Sequence, residues 1–288
     1  MRILLFGPGG QVGREVLARA AARGVVVEPV GRDRADLSDP ASVAAAIAGS
    51  AFDAVINAAA WTAVDQAEAE EAAATVVNGA APAAMAQACA ARGAPLLHLS
   101  TDYVFDGTPG RPWREDDPVS PVNAYGRSKL AGERGVLDAG GSALVVRTAW
   151  VFAPHGRNFV RTMLSLRDRE QLTVVDDQIG RPTFAGDIAD MLLDAAARMV
   201  AEPDGPVRGL LHFAGEEAIS WRGFAEAVFA AAGGPSPRII PVTSAEYPTP
   251  ARRPANSVLD CARYEALFGR PPRPWRAGLS ETIAALAV

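Results

Sequence analysis

Cysteine is scarce in this chain: 288 residues contain two, Cys89 and Cys261, and only three histidines, His98, His155 and His212. Two thiols so far apart in sequence build neither a disulfide framework nor a metal-binding pattern, and they read as buried, reduced side chains. The histidines lack the close spacing of zinc ligands. His98 and His212 fall in strand-like runs and are expected in or near the core. A basic block is missing as well. Lys and Arg total 28 against 33 Asp and Glu, a net charge of -5, which argues against a nucleic-acid-binding surface. Long apolar runs are also absent. The apolar start Arg2 to Phe6 is interrupted by Gly7 and Pro8, so it is neither a signal peptide nor a membrane span, and a cytoplasmic location is expected. No internal repeat is visible, and the alanine-rich stretches keep helical periodicity rather than linker character.

What is present is a regular alternation of short apolar runs and helical patterns. Arg2 to Phe6, Val25 to Val30, Ala54 to Asn57, Pro95 to Ser100 and Ala143 to Thr148 read as strands. Between them lie helical patterns such as Gln11 to Arg23, Thr75 to Arg92 and the segment from Ala124 to Leu137. That rhythm predicts an α/β fold, a Rossmann-type doubly wound parallel sheet. After Trp150 prolines become frequent and the pattern loosens, which suits a smaller domain that closes over a ligand. Asp187 to Val200 and Gly209 to Phe213 look like a return to the main sheet. The expected division is therefore 1–150 and 184–213 for dinucleotide binding, and a discontinuous 151–183 and 214–288 for substrate.

The turn after the first strand is Gly7-Pro-Gly-Gly10-Gln-Val-Gly13. Glycines there allow a tight turn and close approach of backbone to a pyrophosphate, which the following helix N-terminus favours by its amides and dipole. The spacing is GxxGxxG rather than GxGxxG, but the loop follows a strand and opens a helix. The second strand should end near the adenosine ribose, where an acidic residue would reject a 2'-phosphate. Here stand Gly31-Arg32-Asp33-Arg34. Arg32 and Arg34 favour NADPH, whereas Asp33 keeps NADH open. Asp36 and Leu37 are candidates for flanking the adenine, and Asp39-Pro40 reads as a helix N-cap followed by proline at N1.

The chemistry centres on Tyr125 and Lys129. On a helix these i and i+4 positions share one face. Reducing a ketone creates an alkoxide that needs a proton and a stabilising donor, and a phenol beside an ammonium can supply both. Thr101, closing a strand in Ser100-Thr101-Asp102, places a hydroxyl for the same oxygen. Alone, Tyr-x-x-x-Lys is an ordinary amphipathic helix surface; with the glycine loop and Thr101 it describes a nicotinamide-dependent carbonyl reductase.

Longer motifs extend the reading: Asn57-Ala-Ala-Ala-Trp-Thr-Ala-Val-Asp65, Ser100-Thr-Asp-Tyr-Val-Phe-Asp-Gly107, Tyr125-Gly-Arg-Ser-Lys129, Arg147-Thr-Ala-Trp150, Asp177-Gln-Ile-Gly-Arg-Pro-Thr183 and Tyr247-Pro-Thr-Pro-Ala-Arg-Arg-Pro254. With the glycine loop they span nearly the whole chain. In them the chain resembles the extended short-chain dehydrogenase/reductases, and within that family the dTDP-4-dehydrorhamnose reductases. The resemblance implies Thr101, Tyr125 and Lys129 as the catalytic triad, with Lys129 also on the nicotinamide ribose. It implies Gly10, Gln11 and Val12 at the pyrophosphate, Ala60, Trp61 and Thr62 at the middle of the cofactor, and Thr101, Asp102 and Trp150 around the sugar. Asn158, Arg181 and Arg253 are candidates for the substrate's two phosphates, with solvated surface charge as the competing reading. The implied activity is reduction of the 4-keto group of a dTDP-linked 6-deoxyhexose by NADPH or NADH. A related nucleotide-sugar epimerase or dehydratase, and a non-catalytic regulatory subunit of this fold, such as the one that binds methionine adenosyltransferase, remain the alternatives. Some members dimerise through Mg2+ held by interface glutamates. Glu15 and Glu70 could serve, but Asp65 and Asp187 stand where that pattern wants glutamate. The sequence thus gives a metal no support and leaves monomer or homodimer open.

Overall fold

Strand β1 (Arg2–Phe6) has four of its five residues buried, as a strand covered on both faces requires. In a computed structural model describing residues 1–108 and 110–286, it lies in a six-stranded, wholly parallel sheet. The neighbours of β1 are β2 (Val26–Val30) and β3 (Ala54–Asn57). Beyond β3 follow β4 (Leu96–Thr101), β5 (Ala143–Thr148) and an edge strand Gly209–His212. Successive side chains feed opposite cores. Ile3, Leu5 and Ile56 point to the layer containing helices α1 (Gln11–Ala20) and Ala185–Ala201. Leu4, Phe6 and Val55 point to the layer of α2 (Pro40–Ala48) and Ala81–Ala90. The period-2 alternation of strands therefore makes two hydrophobic layers from one apolar run.

Asp39 caps α2 through its carboxylate, which accepts from the Ala41 N–H, with Pro40 at the first helical position. The long alanine-rich helix differs from expectation in an informative way. It begins at Glu71, and its middle, Val76–Ala80, is a π turn. Pro82, just beyond, has no N–H to give the Asn78 carbonyl, so a regular ladder cannot run through this point. The wider turn lets the Asn78 side chain clamp Trp61, accepting from its N–H at 2.8 Å and donating to its carbonyl at 3.0 Å.

A third apolar core stands apart from the sheet. It gathers Phe152, Val160, Met163 and Val174 with Phe224, Trp275 and Leu279. The two-stranded parallel pair Gln171–Val175 and Arg238–Val242 belongs to this region. Both cysteines are buried and unbridged, and His98 and His212 are fully buried. Among the described residues, no helix is long and apolar enough to cross a membrane.

Candidate active site

Strand order reverses beside β1, with β2 on one side and β3 on the other, so a crevice opens beyond their carboxyl ends. The glycine loop fills the floor of that crevice. Gly7 has a left-handed φ of 78°, and a Cβ there would lie 2.6 Å from the Ala59 backbone nitrogen. A Cβ on Gly13 would lie 2.1 Å from the Gly7 carbonyl oxygen, so both positions require glycine. Gly10 precedes α1 without a side-chain cap, leaving the first helical amides for a ligand. The crevice has a volume of about 480 Å3. Gly7, Gly10, Gln11 and Val12 line it with Ala60, Thr62, Tyr125 and Lys129. A backbone cradle that any side chain would fill, with open space at Gly9, fits the pyrophosphate and nicotinamide parts of a dinucleotide.

Tyr125 and Lys129 are set by the helix Ala124–Leu137, which Asn123 caps by accepting from the Gly126 N–H at 2.8 Å. A Cβ on Gly126 would lie 2.2 Å from the Tyr103 carbonyl oxygen, so the helix begins pressed against the turn after β4. Tyr103 meets the Tyr125 ring edge-on, with centroids 5.7 Å apart. Thr101 ends β4 and faces the Tyr125 phenol. Burial dominates the electrostatics of the pair. Burial pushes Tyr125 up to about 12, with its Thr101 hydrogen bond pulling the other way. Lys129 donates to the Leu99 carbonyl at 2.7 Å, and burial pushes Lys129 itself down to about 8.

The other expected site residues divide into those on the crevice and those elsewhere. Trp61 packs against the cluster of Ala67, Ala74 and Ala124, as Tyr125 does, rather than on the crevice wall. Arg32 extends into solvent at 88 % side-chain exposure, 3.9 Å from Asp36, whereas Arg34 is engaged by Glu28 and Ser50. Leu37 packs on the α2 layer. Trp150 adopts φ 49°, a strained value for a bulky residue, and stacks on Trp221 with ring centroids 3.5 Å apart. Asn158 is spent within the protein. It caps the helix Phe159–Ser165, and its amide donates to Gln11 Oε1 and the Ala153 carbonyl. Arg253 is paired with Asp65 at 3.0 Å, and Asp187 pairs with Arg273. Glu15 pairs with Arg19, and Glu70 accepts from Gln66. Among the described residues, no group of three or more His, Cys, Asp or Glu is placed to hold a metal. Among the described residues, the buried Nε of Arg181 has no hydrogen-bond partner.

Thr148 and Arg157 are among the crevice residues that the sequence reading gave no role. Thr148, at the carboxyl end of β5, has a buried hydroxyl with no partner among the described residues. Its place at a strand end was the available signal. Arg157 lines the crevice from the loop before Asn158 and shows no ion pair among the described residues. Only tertiary folding brings that loop to the glycine turn.

Asp102 is 3 % exposed, with Oδ1 accepting from Thr101 and Oδ2 without a partner among the described residues. Burial raises its carboxyl from 3.8 to about 6. The native state thus holds this proton more tightly than the unfolded chain, and stability is lost as pH rises from about 4 through 6. Asp102→Asn is expected to stabilise the fold above pH 6 by on the order of 2–3 kcal/mol, and to leave it unchanged below about pH 4. Urea unfolding at the two pH values checks this.

A parallel sheet with a glycine-lined crevice and a Tyr-Lys pair in its wall defines a Rossmann-type oxidoreductase. The chain belongs to the dTDP-4-dehydrorhamnose reductase family: the family model described as RmlD substrate binding domain matches residues 1–288. A dTDP-4-dehydrorhamnose reductase of Burkholderia thailandensis is 46 % identical over 286 residues, covering 96 % of each chain. Among solved structures, the Clostridium acetobutylicum dTDP-4-dehydrorhamnose reductase superposes with a TM-score of 0.93 at 36 % identity over 100 % of both chains. That of Bacillus anthracis, in complex with NADP, gives a TM-score of 0.90 at 31 % identity over 98 % of both.

Proposed function

We propose that this chain reduces the 4-keto group of dTDP-4-dehydro-L-rhamnose to give dTDP-L-rhamnose, using NADPH or NADH. The observation that carries the reading is that Tyr125 and Lys129 line a crevice whose glycine floor admits no side chain, with Thr101 bonded to the Tyr125 phenol. When bound, the nicotinamide supplies hydride to the keto carbon. Tyr125 donates its phenolic proton to the carbonyl oxygen as negative charge develops there. Thr101 shares that oxygen, lowering the cost of the charge. Lys129, which lines the crevice, would bond a ribose hydroxyl of the cofactor. Gly7, Gly10, Gln11 and Val12 would hold the pyrophosphate, and the exposed Arg32 is the available partner for a 2'-phosphate. Asp102 and Trp150 would border the sugar. Residues 151–183 and 214–288 form the substrate domain in this reading, supported by their separate apolar core around Phe224 and Trp275. Two buried, unbridged thiols suit the reducing cytoplasm.

The test is oxidation of NADPH, and in parallel NADH, by purified protein given freshly generated dTDP-4-dehydro-L-rhamnose, with the sugar product identified. Turnover to dTDP-L-rhamnose is expected. Cofactor that binds without turnover would turn the assignment to an epimerase or a regulatory subunit.

A further inference from the structure

Directly behind the crevice, three buried polar side chains form a row: Asn57 at the end of β3, His98 in β4 and Lys129, each no more than 2 % exposed. The order of donors and acceptors along it is fixed from one end. Asn57 Oδ1 accepts from the Ala59 N–H at 3.0 Å. The amide nitrogen therefore faces His98 Nδ1, also at 3.0 Å. Nδ1 must accept, so the neutral ring carries its proton on Nε2. That nitrogen lies 3.4 Å from Lys129 Nζ. An ammonium has only donors to offer such a neighbour, whereas a free amine offers a lone pair.

We propose that His98 is a positioning residue for Lys129: its Nε2–H, oriented by Asn57, favours the free amine over the ammonium and so sets the pH at which Lys129 loses its proton. The inference rests on Lys129 acting in the reduction as described above. Burial and the nearby lysine keep the imidazole neutral, well below its ordinary pKa, so the ring meets the lysine uncharged. The other groups facing Lys129 pull differently. Glu133, one turn further along the same helix, favours the ammonium. It is already bound by Arg147 from β5 and by the Ser100 hydroxyl from β4. Tyr125 lies on the same helix, and Asn78 and Ser128, bonded to each other beside it, carry no charge. His98 is thus the neighbour that opposes the charge on Lys129, and it has no water-exposed edge.

Nitrogen NMR of histidine-labelled protein, with and without NADP+, reads the ring directly. The expected result between about pH 6 and 9 is a neutral His98 with Nε2 protonated and Nδ1 bare; a ring protonated on Nδ1 overturns the proposal. The second measurement is the pH profile of kcat/KM for His98→Asn. Its alkaline limb is expected about one pH unit higher than in the unaltered protein. A limb left in place, with kcat/KM lowered evenly, would mean a merely structural role and also overturns it. If the variant fails to fold, the ring tautomer of the unaltered protein still decides. Absence of reductase turnover in the unaltered protein would instead overturn the functional reading, with the hydrogen-bond row still judged by its NMR signature.

Discussion

Tyr125→Phe is expected to lower turnover by roughly 10²–10⁴-fold, the range typical for losing a general acid, while the fold and the affinity for cofactor persist. The expectation follows from where the hydroxyl stands. The ring itself is held by Tyr103 and by the small cluster of Ala67, Ala74 and Ala124, none of which uses the phenolic oxygen. Removing that oxygen therefore leaves packing intact and deletes the proton donor, together with its contact to Thr101. Steady-state kinetics, a fluorescence titration with NADPH and a thermal melt separate the effects. A variant with near-normal turnover would remove Tyr125 from the mechanism.

The largest effect on stability is expected at the ion pair between Arg147 and Glu133. Both side chains are 2 % exposed, and the contact is a two-pronged one at 2.8 and 2.7 Å. Arg147 also lies over the Phe105 ring, 4.9 Å from its centroid, and Glu133 accepts from Ser100 at 2.6 Å. The pair ties β4, β5 and the Tyr125 helix together one turn from Lys129. Glu133→Gln keeps the shape but leaves a buried guanidinium without its counter-charge, which costs about 3–5 kcal/mol. Replacing both partners with apolar residues of similar volume should recover most of that loss, since the desolvation of two ions is then avoided. Urea unfolding of the single and double variants checks both statements; equal destabilisation by the two would show that the pair is not the cause.

Much of this was written locally. The ends of β1 and β3 and the start of the Tyr125 helix follow from apolar runs that stop at glycine or asparagine and from an asparagine cap, because strand burial and helix capping are decided by neighbours a few positions away. Glycine at 7, 10 and 13 and the i, i+4 spacing of Tyr125 and Lys129 are equally local, and they carry the reaction class. Other features came from contacts between distant segments. The π turn at Val76–Ala80 depends on Trp61 across a loop as well as on Pro82. Asn158 is consumed by Gln11, and Arg253 by Asp65, partners more than a hundred residues away, so a polar side chain that reads as free in sequence is committed in the fold. The same holds for proton affinity. Sequence places an ammonium beside a phenol, but only the tertiary structure buries both, raises one and lowers the other, and sets His98 behind the lysine, because desolvation depends on everything that surrounds a group and not on its neighbours in the chain.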